Sequence, residues 1–226
     1  PRTNVQVDDR GDKIEFTTNS NGNTEDENLW TQVFFEGQSS LNFTLEARAH
    51  NAGCGFDTAD FEQSPIITEV DASGDDLLYG GAGNDSILGG GGKDTIYGDS
   101  GDDRIDGGEG SDTMFGGEGD DTLISTVTDG RSEDAFYGED GNDSISSLGG
   151  SDTLVGGTGN DTLIGGRGDD LMRGNTGNDD LRGGNDNDRL FGGSENDVVR
   201  GDDGADTLSG DAGDDTIAGG EGDDLI

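Results

Sequence analysis

The chain reads GGAGNDSIL over residues 80–88 and GGGGKDTIY over residues 89–97, and this nine-residue pattern decides the fold. It recurs as seventeen units between residues 71 and 226, with one interruption. The sixth position of every unit is Asp, and the eighth is always apolar. One unit cannot bury its single apolar side chain, so units must stack to form a continuous core. The repeat therefore predicts a solenoid.

Each unit is interpreted as a six-residue turn, Gly-Gly-x-Gly-x-Asp, followed by a strand of three residues. Glycine suits the turn because it adopts positive φ and lets backbones stack closely. With two units per coil, turns eighteen residues apart stack on the same edge. We therefore expect an all-β fold, a right-handed parallel β-roll.

The composition requires a positively charged counterpart for folding. Only 27% of the 226 residues are hydrophobic, 45 are Gly, and the formal net charge is -40. Such a chain stays disordered by default, and a disordered linker is the alternative to the roll. The recurring apolar eighth position argues against that alternative. Nucleic acid is disfavoured as a partner because Lys and Arg are few and scattered.

Calcium fits the chemistry of the stacked turns. The gap between two turns is lined by backbone carbonyls and by an Asp carboxylate from each turn. Ca²⁺ takes roughly six to eight oxygen ligands in flexible geometry, whereas Mg²⁺ wants a stricter octahedron. The predicted carboxylate ligands are Asp76, Asp85, Asp94, Asp103, Asp112, Asp121, Asp143, Asp152, Asp161, Asp170, Asp179, Asp188, Asp197, Asp206, Asp215 and Asp224. The predicted carbonyl ligands are Gly81, Gly83, Gly90, Gly92, Gly108, Gly110, Gly117, Gly119, Gly157, Gly159, Gly166 and Gly168.

Several units depart from the pattern. Thirteen residues, 125–137, replace nine, which predicts a four-residue bulge at 125–133 and removes Asp134 from the expected ligands. Ser147 and Leu148 replace the glycine pair of the ninth unit, as Asp71 and Ala72 do in the first, so weaker sites are expected there. Asp186 and Glu195 stand at the fourth position, where glycine is usual. Leaving out the bulged turn, about 13 ions is the ceiling that stacking allows.

The nonapeptide Gly-Gly-x-Gly-x-Asp-x-U-x, with U apolar, resembles the RTX (repeats-in-toxin, hemolysin-type) calcium-binding family. The resemblance covers residues 71–226. It implies a parallel β-roll with calcium between turns, an extracellular or cell-surface location, and type I secretion from bacteria. Family members include toxins, proteases, lipases, alginate epimerases, adhesins and surface-layer proteins.

Residues 1–70 differ from the repeats, since they hold five of the glycines and no period. Alternating or apolar runs predict strands over residues 13–17, 30–35, 41–49 and 66–70, with a polar loop over 19–28. We expect a small N-terminal β-domain or cap, followed by the roll over 71–226.

Catalysis is not expected in this chain. His50 is the only histidine and Cys54 the only cysteine, so neither a zinc-protease motif nor a disulfide can form. Gly-x-Ser-x-Gly is absent as well. No run approaches the roughly 20 apolar residues of a membrane span.

We therefore expect a non-catalytic extracellular calcium-binding module that folds on calcium binding. Its role would be structural or adhesive, as a surface-layer, filament or adhesin segment. The alternative is the repeat module of a secreted RTX enzyme or toxin whose catalytic part lies outside this chain. Besides calcium, other copies of the chain or other surface proteins are candidate partners.

The ninth position points outward and predicts an aromatic column on one side of the roll. Alternate units place Tyr79, Tyr97, Phe115 and Tyr137 there, spaced by one strand separation. One hypothesis is that the column docks the N-terminal domain or another copy, because exposed apolar patches mark contacts. The alternative is that the rings only stack on one another.

Overall fold

The computed structural model describes residues 74–126 and 132–226, together with the backbone of five short strands between residues 4 and 69. The described residues form strands joined by short turns, and they include no helix. None of them could therefore cross a membrane as a long apolar helix. The all-β prediction is confirmed for this part of the chain.

Twenty-one strands are described. They are β1 Asn4–Val7, β2 Ile14–Thr17, β3 Thr44–Ala47, β4 Gly55–Phe56, β5 Ile66–Glu69, β6 Leu77–Ala82, β7 Ser86–Gly92, β8 Thr95–Ser100, β9 Arg104–Gly110, β10 Thr113–Glu118, β11 Thr122–Ile124, β12 Ala135–Asp140, β13 Ser144–Ser146, β14 Thr153–Thr158, β15 Thr162–Arg167, β16 Leu171–Thr176, β17 Asp180–Asn185, β18 Arg189–Ser194, β19 Val198–Asp203, β20 Thr207–Ala212 and β21 Thr216–Glu221.

The strands form a parallel β-solenoid of about 8 turns. Even-numbered strands β4 to β20 build one sheet of nine strands, and odd-numbered strands β3 to β21 build another of ten. Residues eighteen apart are partners, as in Leu78 with Ile96 and Ile87 with Ile105. Two units per coil is therefore confirmed, whereas the right-handed sense stays a prediction.

The strands are longer than the sequence predicted. A regular strand runs from the seventh position of one unit to the third of the next, as in Leu77–Ala82, so six residues are extended and about three turn. The six-residue turn was therefore wrong. Its glycine pair remains in the sheet because the second position pairs across strands, as Gly81 does with Asp99. That position has positive φ, 97° at Gly81, which glycine adopts without strain.

The core is a double column of eighth-position side chains between the two sheets. Fifteen of them are buried, from Leu78 at 2% exposure to Leu208 at 3%, and Ile217 packs against them partly buried. Phe136 is the largest and is fully buried. One apolar layer per strand explains why so hydrophilic a chain still has a continuous core.

The longer unit shifts the register without interrupting either sheet. Thr113 pairs with Ala135, a separation of 22 residues, and β12 continues into β14 with the usual eighteen. Residues 127–131 of this unit lie outside the described part. Strands β11 and β13 have only three residues each, and each is followed by a serine, Ser125 or Ser147, where the six-residue strands continue through a first-position glycine.

Both sheets extend upstream of residue 71. Strand β5 pairs in parallel with β7 and with β3, and β4 pairs with β6. Strands β1 and β2 form an antiparallel pair. Strands predicted over 13–17, 41–49 and 66–70 are confirmed by β2, β3 and β5. The strand predicted over 30–35 and the loop over 19–28 lie outside the described residues, and the domain boundary at residue 70 stays a prediction.

Candidate functional site

The sixth-position aspartates form a ladder along each edge of the roll. From Asp94 onward, Oδ1 of each one accepts a hydrogen bond from the backbone N–H of the Asp one coil earlier, as Asp170 does from Asp152 at 2.8 Å. From Asp76 to Asp206 these side chains are at most 9% exposed. The ladder ends with Asp215 and Asp224, which accept from Asp197 and Asp206. All sixteen carboxylates predicted from the sequence therefore lie in two files.

The second carboxylate oxygen, Oδ2, is the unusual atom of the ladder. Within residues 74–126 and 132–226 it is buried and has no hydrogen-bond partner on twelve of these side chains. They are Asp85, Asp94, Asp103, Asp112, Asp121, Asp143, Asp161, Asp170, Asp179, Asp188, Asp197 and Asp206. An unpaired buried carboxylate costs several kcal/mol, roughly, unless a cation or a proton compensates it. Each such oxygen therefore marks a place for a positive charge.

The first-position glycine keeps space open beside this oxygen. A Cβ atom on Gly80 would lie 2.7 Å from Oδ2 of Asp85 and 2.6 Å from the carbonyl oxygen of Gly98. Both distances are far shorter than a carbon atom tolerates. The cradle between carboxylate and carbonyl thus exists only because the side chain is absent. The sequence prediction did not include these first-position carbonyls, although the glycines that mark them were visible in the repeat.

Carbonyls of the second and fourth positions face the following turn on the same edge. A Cβ atom on Gly101 would collide with the carbonyl oxygen of Gly83, and one on Gly117 with that of Asp99. Among the glycines predicted as carbonyl ligands, this direction is seen for Gly83, Gly90, Gly92, Gly119, Gly159 and Gly166. All twelve have positive φ. In a regular turn, Oδ2 therefore lies near a first-position carbonyl of the next turn, and the carbonyls of positions two and four face that same next turn.

Side chains alone do not build a metal site in the described part of the chain. No three His, Cys, Asp or Glu side chains come together there in a suitable cluster. Any ion held in the gaps must therefore take backbone oxygens as well, which is what calcium accepts and what softer metals do not favour. His50 and Cys54 lie outside the described residues.

Burial raises the pKa of several ladder carboxylates. Desolvation raises the pKa of Asp103 and Asp112 to about 7, with smaller contributions from like charges of ladder neighbours. For Asp188 the same causes raise the pKa to about 8. The backbone N–H bond to each carboxylate opposes the shift but is the smaller effect. A bound cation would favour the charged form instead.

Asp134, which the prediction left out, belongs to the ladder. Its Oδ1 accepts from the N–H of Asp112 at 2.8 Å, and its own N–H donates to Asp152 at 2.7 Å. The extra residues of its unit are absorbed before the Asp is reached. The signal for this was present in the sequence, because Asp134 keeps its spacing to Phe136.

The two acidic residues at the fourth position adopt the conformation that glycine has elsewhere. Asp186 has a φ of 79° and Glu195 a φ of 75°. Each side chain accepts a hydrogen bond from the turn one coil earlier, at the N–H of Gly168 and of Gly177. These contacts offset part of the cost of a left-handed non-glycine residue.

A second, exposed ladder runs along one edge at the fifth position, which sequence reasoning missed. Oδ1 of Asn142 accepts from the N–H of Asn160 at 2.9 Å, and Asn160 accepts likewise from Asn178. Asp120 and Asn196 continue the file in the two directions. The signal was Asn or Asp recurring every second unit. This ladder stabilises turns without any ion.

The aromatic column is confirmed as a stack of half-buried rings. Ring centroids of Tyr79, Tyr97, Phe115 and Tyr137 follow each other at 5.0, 4.8 and 5.0 Å. Further along the same sheet the Arg173 guanidinium lies 5.6 Å above the ring of Phe191. The stacking alternative accounts for these contacts. Docking of the N-terminal segment or another copy stays a prediction.

Comparison with known families agrees with the repeat. A profile described as the RTX calcium-binding nonapeptide repeat (4 copies) matches residues 71–105, 88–123, 126–154, 146–181, 155–190, 164–199 and 191–226. A search of the curated proteins found no match. The matches span the roll and include the units that carry both aspartate files.

Proposed function

Because the chain belongs to the RTX calcium-binding nonapeptide repeat family, we propose that its roll is an extracellular structural or adhesive module that folds on binding calcium. It is non-catalytic in this proposal, since its buried carboxylates are engaged in the aspartate ladder. RTX repeats are typical of secreted proteins, which supports the extracellular location.

The observation that carries the proposal is the unpartnered Oδ2 of the ladder aspartates. These oxygens lie beside a carbonyl from the neighbouring turn, in a space that a Cβ atom would fill. Ca²⁺ supplies the positive charge that such oxygens lack and binds hard oxygen ligands in flexible numbers. The sixth-position Asp and the carbonyls of positions one, two and four would hold it.

Charge balance supports many ions rather than one. Residues 71–226 carry 39 acidic and 8 basic side chains, a formal charge of -31. About 13 divalent ions, the ceiling set by stacking, would neutralise most of it. Without them the carboxylates repel along each file, and one apolar layer per strand cannot compensate. We infer that the metal-free roll is unfolded at neutral pH.

The structural or adhesive role is supported by the shape of the described roll. Two continuous parallel sheets leave long faces for contact. One face carries the stacked rings from Tyr79 to Tyr137, the largest run of aromatic side chains in the described residues. Such patches mark contacts with other molecules.

Circular dichroism tests the calcium requirement directly. The spectrum of the chain is recorded in chelator and then with millimolar calcium. A separate sample with the same concentration of magnesium is the matched control. We expect a disordered spectrum in chelator, a β spectrum with calcium, and little change with magnesium. A β spectrum in chelator that calcium leaves unchanged would overturn the proposal.

A further inference from the structure

Two consecutive turns on one edge begin with serine where the other described turns of the roll from residue 80 onward begin with glycine. Ser125 precedes the turn of Asp134, and Ser147 precedes the turn of Asp152. Both are buried, with 1% and 0% exposure. The two hydroxyls differ, because among the described residues Oγ of Ser125 has no hydrogen-bond partner whereas Oγ of Ser147 has one. A buried hydroxyl is favoured when it is hydrogen-bonded, so Ser147 is the one that affects an adjacent carboxylate.

A regular turn on the same edge shows what the serine replaces. A Cβ atom on Gly165 would overlap Oδ2 of Asp170 and lie 2.8 Å from the carbonyl oxygen of Gly183. Glycine leaves this space empty, and Oδ2 of Asp170 has no hydrogen-bond partner. Any side chain at the first position must enter the same space.

Ser147 enters it and bonds the carboxylate. Its Oγ donates a hydrogen bond to Oδ2 of Asp152. Asp152 consequently differs from Asp161 and Asp170, whose Oδ2 atoms have no hydrogen-bond partner. Oδ1 of Asp152 accepts from Asp134 as elsewhere in the ladder, so both of its oxygens are engaged by the protein.

The backbone of this turn also departs from the regular one. Leu148 occupies the second position, is 45% exposed, and does not adopt the positive φ seen at Gly166, which is 101°. Strand β13 ends two residues earlier, at Ser146. A Cβ atom on Gly166 would lie 3.0 Å from the carbonyl oxygen of Leu148, whereas one on Gly184 would collide with that of Gly166. The second-position carbonyl therefore lies farther from the following turn at Leu148 than in a regular turn.

We propose that Ser147 closes the gap at Asp152, and that in a unit of nine residues the first residue decides whether the gap takes an ion. Glycine leaves a carboxylate oxygen without a hydrogen-bond partner beside open space, whereas Ser147 bonds that oxygen and fills the space. The gap at Asp152 then holds no ion and separates two runs of sites on one edge. The ceiling of about 13 ions falls by one. The inference rests on the proposed calcium binding.

Counting bound calcium in three variants tests the proposal. The double variant Ser147→Gly/Leu148→Gly restores the glycine pair and should bind one more ion per chain than the wild type. Gly165→Ser places a serine beside Asp170 and should bind one fewer. Ser147→Ala keeps the space filled, so its ion number should not change, but its calcium-loaded form should unfold at a lower denaturant concentration because Oδ2 of Asp152 loses its partner.

The measurements are equilibrium dialysis with calcium determined by atomic emission, and urea unfolding at saturating calcium. Ser151→Gly, an exposed change in the same turn, is the matched control and should bind as the wild type does. Equal ion numbers in the wild type, the double variant and Gly165→Ser would overturn the inference while leaving calcium binding intact. A wild type that binds no calcium would instead overturn the proposed function, and the inference with it.

Discussion

Two single variants, Asp161→Ala and Asp134→Ala, are compared to separate two contributions to stability. One is the hydrogen bond of the aspartate ladder, and the other is ion binding. Oδ1 of Asp161 accepts from the N–H of Asp143 at 2.8 Å, and Oδ1 of Asp134 accepts from that of Asp112 at the same distance. Exposure is 1% for Asp161 and 3% for Asp134. Each change thus removes one charged acceptor from an equivalent buried N–H.

The ladder contribution should be similar in the two variants. A hydrogen bond to a charged group contributes about 1.5–3 kcal/mol, and both variants lose one. Asp161 lies in a regular turn with an unpartnered Oδ2. Free calcium at about 100 times the dissociation constant adds about 2.7 kcal/mol per occupied site, which Asp161→Ala loses in addition. The turn of Asp134 has no predicted site, so Asp134→Ala should lose the ladder bond alone.

Urea unfolding at several calcium concentrations measures both contributions. The unfolding free energy rises by about 1.4 kcal/mol per tenfold calcium for every ion released. We expect the slope of Asp161→Ala to fall by at least one ion and that of Asp134→Ala to stay at the wild-type value. Equal slopes in the two variants would refute the prediction that the turn of Asp134 lacks a site.

Two further predictions concern pH and the aromatic column. Burial raises the pKa of Asp103 from 3.8 to about 7 and that of Asp188 from 3.8 to about 8. Between these values the folded, metal-free roll binds more protons than the unfolded chain does. The metal-free roll therefore loses stability as the pH rises from the unfolded pKa towards the folded pKa. In chelator, circular dichroism should show more β-structure at pH 5 than at pH 8, and the reverse order would contradict the pKa shifts. Tyr97→Ser/Phe115→Ser should weaken calcium-dependent self-association in sedimentation velocity, whereas Leu88→Ser, exposed on the other sheet, should not; a wild type that stays monomeric with calcium would count against docking of a second copy.

The nine-residue period by itself determined most of the architecture. The apolar residue at the eighth position of each nine-residue unit, from Leu78 to Ile217, can be buried only if units stack in register. Stacking then brings each sixth-position Asp next to the one eighteen residues away. Parallel coils, two edges, a double core column and two files of carboxylates all follow from that repetition. The expectation that the ion is calcium follows from the carboxylate side chains in these files.

Other features were decided only by the tertiary structure. The strands take in the glycine pair because backbone pairing between coils, rather than local preference, determines where extension stops. Asp134 keeps its spacing to Phe136 in the sequence, but only the pairing of β12 with β10 and β14 shows that the extra residues are absorbed and that Asp134 rejoins its file. Ser147 differs from a glycine only through its contact with Asp152, and the period places these residues in one turn without showing that they touch. Residue types recur along the sequence, but the atoms that face one another depend on how neighbouring coils are packed.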